Sequence, residues 1–308
     1  MRLFKEKSND INFFKHKYRI NLKSLTRTQR YQIRNKNIQT FGQAELPWIG
    51  YADDLVLFFT DKESLLSGSE LLNQVFESFG LVVNKLKTET MVLNHQILDQ
   101  HYQDTIISLD EIPIKNVTNF TYLGSKINHD EPNTGNTEVN NRIQMASSKF
   151  NEMSNLLQNQ RVNLRTRINF LDSLVRSRLT YACQNWNLTK NQFERLNVSY
   201  RSFLRRMIRN GQKFVNPTEN DYRLMISNER LHEICHTRDV EYFIRDQQTK
   251  YMSHVTRMDA NRSIKQLAFN DDKYTKRGRP VRTLFDQVLE NLNISTDEFC
   301  TLALKSKN

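Results

Sequence analysis

The sequence predicts an α+β chain in which a strand-rich portion precedes a mainly helical one. Three observations predict it. Residues 48–59, "WIGYADDLVLFF", set β-forming and large apolar residues on both sides of two acids. The stretch that follows alternates helix-type and strand-type patterns as far as Pro132 and Gly135, and beyond them apolar residues recur at helical steps. With 308 residues and 38% hydrophobic content, the chain can bury a core and form two or three structural units.

Residues 1–45 are cationic, with Phe and Tyr interspersed in "INFFKHKYRINLKSLTRTQRYQIRNKN" and no clean strand or helix period, so this basic segment is expected to be poorly ordered or a helix borrowed from elsewhere. After Pro47, Trp48, Ile49 and Tyr51, then Leu55 to Phe59, read as two short strands of a hairpin with its turn at Asp53 and Asp54. Thr60 and Glu63 have capping-box spacing, Leu65, Leu72, Phe76 and Phe79 share one helical face, and Gly80 offers a stop. "LVVN", "TMVLN", "TIISLDEIPI" and "FTYLGSKI" follow as strand candidates.

Three amphipathic stripes come next: Val139, Ile143, Ala146, Phe150, Met153 and Leu157; Leu164, Ile168, Leu171 and Val175; Phe193, Leu196, Tyr200, Phe203 and Met207. They read as the core of a helical bundle. Its polar faces are cationic, since Arg142 to Lys213 holds fourteen Lys and Arg against Glu152, Asp172 and Glu194. Arg201, Arg205 and Arg209 share one face of the third helix, where like charges repel unless a polyanion lies alongside. In the last third, "KRGRP" at 276–280 looks like the core of an AT-hook, whose arginines, here Arg277 and Arg279, enter a narrow minor groove; a plain basic linker reads as well.

The balance of 45 Lys+Arg against 34 Asp+Glu, a formal net charge of +11, favours a polyanionic partner over an acidic metabolite. Three scattered cysteines, Cys183, Cys235 and Cys300, imply no disulfide framework and point to a reducing compartment, nucleus or cytoplasm. His232, Cys235 and His236 lack the second ligand pair of a zinc finger. No apolar run is long enough to span a bilayer, and no secretory leader is recognisable, so no membrane role is expected.

Consecutive side chains of an extended strand point to opposite faces, so Asp53 and Asp54 serve one site only if the backbone turns between them. A hairpin supplies such a turn. The repulsion of adjacent carboxylates is relieved most readily by a divalent cation, and Mg²⁺ takes one or two carboxylates completed by substrate phosphates and water. Two such ions activate a 3′-hydroxyl and stabilise the leaving pyrophosphate, which is nucleotidyl transfer. Asp271 and Asp272, in "FNDDKY", form a second acidic pair without flanking strands, and no function is assigned to them.

"YADDLVLF" resembles the Tyr-X-Asp-Asp signature of reverse transcriptases, in the Ala-containing form of non-LTR (LINE-type) retrotransposons. "FGLVVNKLKTETMVL" resembles the palm motif that follows it in that family, and "FTYLGS" the strand-turn that supports the primer. "RLTYACQNWNLTKNQFERLNVSYRSFLRRMIR" resembles the thumb-like region. "SNERLHEICHTRDVEYFIRDQQTKYMSHVTRM" with "RGRPVRTLFDQV" resembles the tail. The ordered succession, over roughly residues 46 to 290, is far more specific than the tetrapeptide.

The resemblance implies that Asp53 and Asp54 are the paired catalytic, metal-binding aspartates. It places Tyr51 near the primer terminus, Lys87 close to the incoming triphosphate, and Tyr122, Leu123 and Gly124 at the primer-supporting turn. It also implies Mg²⁺ as cofactor, primer–template RNA and DNA as partners, and deoxynucleoside triphosphates as substrates. The implied fold is a partial polymerase palm at 46–130, a helical thumb-like region at 131–215 and a helical tail at 216–308. Departures accompany it. The family's third metal-binding aspartate, upstream of the hairpin, is not recognisable in residues 1–45, where Asp10 sits in a polar, cationic setting. "KYMSHVTRM" lacks the Trp and Gly usual beside that His, and Leu284 stands where a Trp is common. The expectation is therefore a truncated RNA-directed DNA polymerase, inactive alone and dependent on a complementary polymerase fragment. The alternatives are a non-catalytic RNA- and DNA-binding remnant that uses cationic helix faces, and a relic without a selected role.

Overall fold

The computed structural model describes residues 48–59, 61–92, 107–129, 131, 135–209, 226–269 and 282–305. The basic segment 1–45 and "KRGRP" therefore lie outside the described residues. The chain divides into two compact units, Met1–Phe120 with Asp259–Tyr274, and Thr121–Met258 with Thr275–Asn308. That division falls at Phe120, and it groups a short later segment with the first unit.

In the first, strand-bearing unit, β1 (Trp48–Tyr51) pairs antiparallel with β2 (Asp54–Leu57), Trp48 opposite Leu57 and Tyr51 opposite Asp54. Helix α1 (Lys62–Ser78) follows. Its cap is Asp61, whose carboxylate accepts the Ser64 N–H at 2.8 Å; this moves the cap one residue beyond the expected Thr60, because the Asp–Ser pair makes both cap bonds itself. Gly80, at φ 72°, closes the helix: its N–H reaches the Glu77 carbonyl and that of Leu81 reaches Phe76.

β4 (Ile107–Leu109) and β5 (Ile112–Asn116) form a second antiparallel hairpin, joined by Asp110 and Glu111, and β3 (Glu89–Thr90) pairs parallel with β5. Ile107, Leu109 and Ile114 make the small core of this unit, with Leu65 and Leu66 of α1 and Val83 packed against them. The expected strand "LVVN" is irregular instead, with Val82 86% exposed. Of "TMVLN", Thr90 lies in β3 while Met91 and Val92 leave the sheet. α9 (Ser263–Ala268) also belongs to this unit.

β6 (Asn119–Tyr122) and β7 (Ser125–Asn128) make a two-stranded sheet that leads into the helical unit. The three apolar stripes occupy α2 (Asn136–Glu152) with the short α3 (Ser154–Leu157), then α4 (Leu164–Phe170) continued through the π-helical Leu171–Arg176 into α5 (Ser177–Leu179), then α6 (Lys190–Arg209). Val139, Phe150, Leu157, Leu171, Leu196 and Leu204 are fully buried, and Phe150 stacks on Phe203 with ring centroids 5.0 Å apart. α7 (Asn228–Cys235) and α8 (Val240–Thr256) extend this core through Leu231 and Ile244. α10 (Leu284–Leu292) and α11 (Thr296–Lys305) add Phe285 edge-on to Phe299 at 5.5 Å.

Candidate nucleic-acid and metal-binding site

The hairpin turn is the two-residue loop Ala52–Asp53, and Asp54 opens β2. Ala52 has φ 52°, in the left-handed region that the tight primed turns of hairpins require at their first central position. Both carboxylates are exposed at this tip, and Tyr51, paired across from Asp54, is 66% exposed. A Cβ on Gly50 would lie 3.2 Å from the Trp48 ring, so the small residue lets the indole lie against the strand.

The tip offers the hard oxygen donors that Mg²⁺ takes. Among the described residues, however, no group of three or more His, Cys, Asp or Glu side chains converges to hold a metal. These two acids alone do not build a two-metal site, and no chemical step through a metal is derived from them.

Lys87 is exposed on the turn after α1, its N–H bonded to the Asn84 carbonyl at 3.0 Å. The neighbouring Lys85 instead pairs with Asp110, which also accepts a 2.9 Å bond from Asn73. Lys85 and Asn73 hold the Asp110 carboxyl below its ordinary value. Nothing in the local sequence pattern links these three residues, which lie far apart in the chain.

The turn Tyr122–Leu123–Gly124 is the most firmly built of the anticipated positions. Leu123 and Gly124, at φ 47° and 80°, form the two-residue loop between β6 and β7. The Tyr181 hydroxyl donates to the Leu123 carbonyl at 2.8 Å, and the Arg142 guanidinium donates to the Gly124 carbonyl. Arg142 is itself held by Glu138 at 2.6 Å, both side chains buried, and the other Glu138 oxygen accepts the Lys126 N–H at 2.8 Å. The Arg142 guanidinium lies 4.6 Å from the centre of the Tyr181 ring. A Cβ on Gly124 would come within 3.5 Å of that ring. One buried ion pair and one phenol thus fix the turn to α2 and to the end of α5. Sequence reasoning missed Glu138, Arg142 and Tyr181; the one signal was a Glu–Arg pair at i, i+4 on the apolar side of a predicted helix.

The arginine face of α6 requires a correction. Arg201 is 7% exposed and pairs with Glu194 and with Asp239 at 3.2 Å, while Arg205 bonds the Ile226 carbonyl at 3.2 Å and Asn228 Oδ1 at 2.7 Å. Their repulsion is relieved from within the protein, by Glu194 seven residues earlier on the same helix and by Asp239, Ile226 and Asn228, which helical periodicity does not link to it. The side chain of Arg209, like Arg277 and Arg279, falls outside the described residues. His232 Nε2 lies 3.1 Å from Asp239 Oδ1 and its Nδ1 3.2 Å from Thr237 Oγ1, so this ring orders the junction of α7 and α8. Cys183 and Cys235 are buried, and burial pushes their thiols up to about 12 and about 11. No described helix is long and apolar enough to cross a membrane.

No family model matches the chain, and no solved structure matches it. It is 26% identical over 207 residues, 67% of this chain and 70% of the other, to the uncharacterized transposon-derived protein F52C9.6 of Caenorhabditis elegans. That similarity gives the chain a transposon-related origin.

Proposed function

We propose that this chain carries the later part of a non-LTR retrotransposon reverse transcriptase, the end of the palm, a primer-supporting turn and a thumb-like bundle, and that its own activity is RNA and DNA binding. The observation that carries the reading is the β1–β2 hairpin, which exposes Asp53 and Asp54 at its tip beside an exposed Tyr51, at the head of the ordered motif succession. In this reading Asp53 and Asp54 contribute two carboxylates to a Mg²⁺ site completed by a third on a complementary polymerase segment. Tyr51, Lys87 and the turn Tyr122–Gly124 face primer and nucleotide.

The test is primed RNA incubated with the chain, deoxynucleoside triphosphates and Mg²⁺. The expected result is binding that weakens steeply with salt and no incorporation. Adding an upstream palm segment with its aspartate then produces extension that Asp53→Ala abolishes. Binding that is flat with salt overturns the proposal. Extension by the chain alone overturns its non-catalytic part.

A further inference from the structure

Arg201 is buried and Arg205 half-buried and bonded within the protein; the helical unit offers other, exposed cations around α2 and α5. An open groove of about 420 Å³ lies between them, lined by Asn141, Gln144, Met145, Ser148 and Lys149 of α2 and by Arg178 of α5. Its acid, Glu152, is taken by Lys149 at 2.6 Å. Beside it, the exposed side of the helix from Leu164 to Leu179 presents Arg165, Asn169, Ser173 and Ser177. The one acid of that helix, Asp172, is occupied by Arg176 at 3.1 Å and by the Tyr200 hydroxyl at 3.0 Å. At the end of this surface Tyr181 is 46% exposed and backed by Arg142, which also lies 3.8 Å from the Met145 sulfur.

We propose that the α2–α5 groove and the adjoining face of Arg165, Arg178 and Tyr181 bind a single nucleic-acid strand. The inference rests on the nucleic-acid-binding reading above and places that binding on a surface the charge pattern did not indicate. The chemistry matches the partner. Glu152 and Asp172 are paired with Lys149 and Arg176, so the phosphate contacts fall to the exposed Arg165 and Arg178, with amide and hydroxyl side chains beside them. An exposed ring at one end gives an unpaired base a stacking platform, which a strand locked in a duplex cannot use as freely. The groove is open rather than enclosed, as a polymer that must run through it requires.

The test uses the full chain and a fluorescein-labelled single-stranded RNA or DNA of about 20 nucleotides, titrated over a range of salt. Arg165→Gln/Arg178→Gln removes two exposed cations and is expected to flatten the slope of log K against log salt by about 1.4. Tyr181→Ala is expected to weaken binding about tenfold, whereas Tyr181→Phe, which keeps the ring and loses only the hydroxyl bond to the Leu123 carbonyl, is expected to lose less. The control, Arg230→Gln/Lys250→Gln, removes two exposed, ion-paired cations from α7 and α8 and is expected to leave the slope unchanged. An unchanged slope in the Arg165/Arg178 variant, or an equal loss in the control, overturns this inference and leaves the reading above standing. Failure of the unaltered chain to bind either strand overturns both.

Discussion

In the helical unit Phe150, Leu171, Leu196 and Leu204 are completely buried, whereas in the strand-bearing unit Ile114 reaches that state with Ile107 and Leu109 close to it, and Val82 and Leu86 stand 86% and 92% in solvent. The difference lies in what each element needs. An α-helix satisfies its backbone internally and asks of its neighbours only cover for an apolar stripe, which α2, α4 and α6 give one another. A strand satisfies half of its backbone groups at each edge, so a sheet short of partners leaves both hydrogen bonds and apolar side chains exposed. Among the described residues β1–β2 is a sheet of two strands, and Trp48, Tyr51 and Leu55 on it are exposed.

The largest effect is expected where the helical unit is most committed. Glu138→Ala leaves the Arg142 guanidinium buried with its partner gone, and the expected loss is about 3–5 kcal/mol in urea unfolding. Glu138→Ala/Arg142→Met, which buries no charge, is expected to recover much of it. A single variant that costs nothing would show that the turn is not anchored through this pair.

Core truncations sharpen the contrast next. Phe150→Ala is expected to cost about 3–5 kcal/mol, read as lost amide-exchange protection throughout α2, α4 and α6. Ile114→Ala is expected to cost about 2–4 kcal/mol, with protection lost in β4 and β5 and retained in α6. Loss of protection in α6 as well would mean that the two units share one cooperative core.

A smaller, pH-dependent effect is expected at Asp172. Burial raises its carboxyl above the ordinary 3.8, opposed by Arg176 and by the Tyr200 hydroxyl. A raised folded value means that the stabilising contribution is fully present below the unfolded value and is lost as pH rises through the folded one. Asp172→Asn, which stays neutral, is therefore expected to gain stability relative to the unaltered chain between about pH 3 and pH 6, measured by thermal melts across that range. A difference independent of pH would mean that Asp172 titrates alike in both states.

Gly80→Ala is expected to show the smallest change. Nothing lies within 4 Å of the added Cβ, so the cost is that of a left-handed residue at φ 72°, about 1 kcal/mol. It falls on the weaker unit, where it is read as fraying of α1 in amide exchange. No fraying would mean that the Gly80 turn is not what ends this helix.

Much of the architecture was legible in the chain. The β1–β2 hairpin and the three helical stripes follow from alternation, helical spacing and the placement of polar residues, which report backbone conformation locally. The turn at Leu123 and Gly124 was indicated by the family resemblance alone, since the residue pattern marked "FTYLGSKI" as a strand. "LVVN" was misread because β-branched residues favour a strand only when another strand is there to pair with, and that is a non-local condition. The α6 arginines were misread for a related reason: a helical wheel shows which residues share a face, not that Asp239, ahead of α8, will meet it.

The amino-acid order by itself determined the tip of paired acids, the helical stripes and the basic balance, since each depends on near neighbours or on composition. Tertiary structure alone decided that Arg201 and Arg205 are bonded within the protein and that Glu138, Arg142 and Tyr181 pin a distant turn. The physical reason is that a charged side chain reaches across helices, so its partner is chosen by the packing of whole elements and not by the residues beside it in the chain.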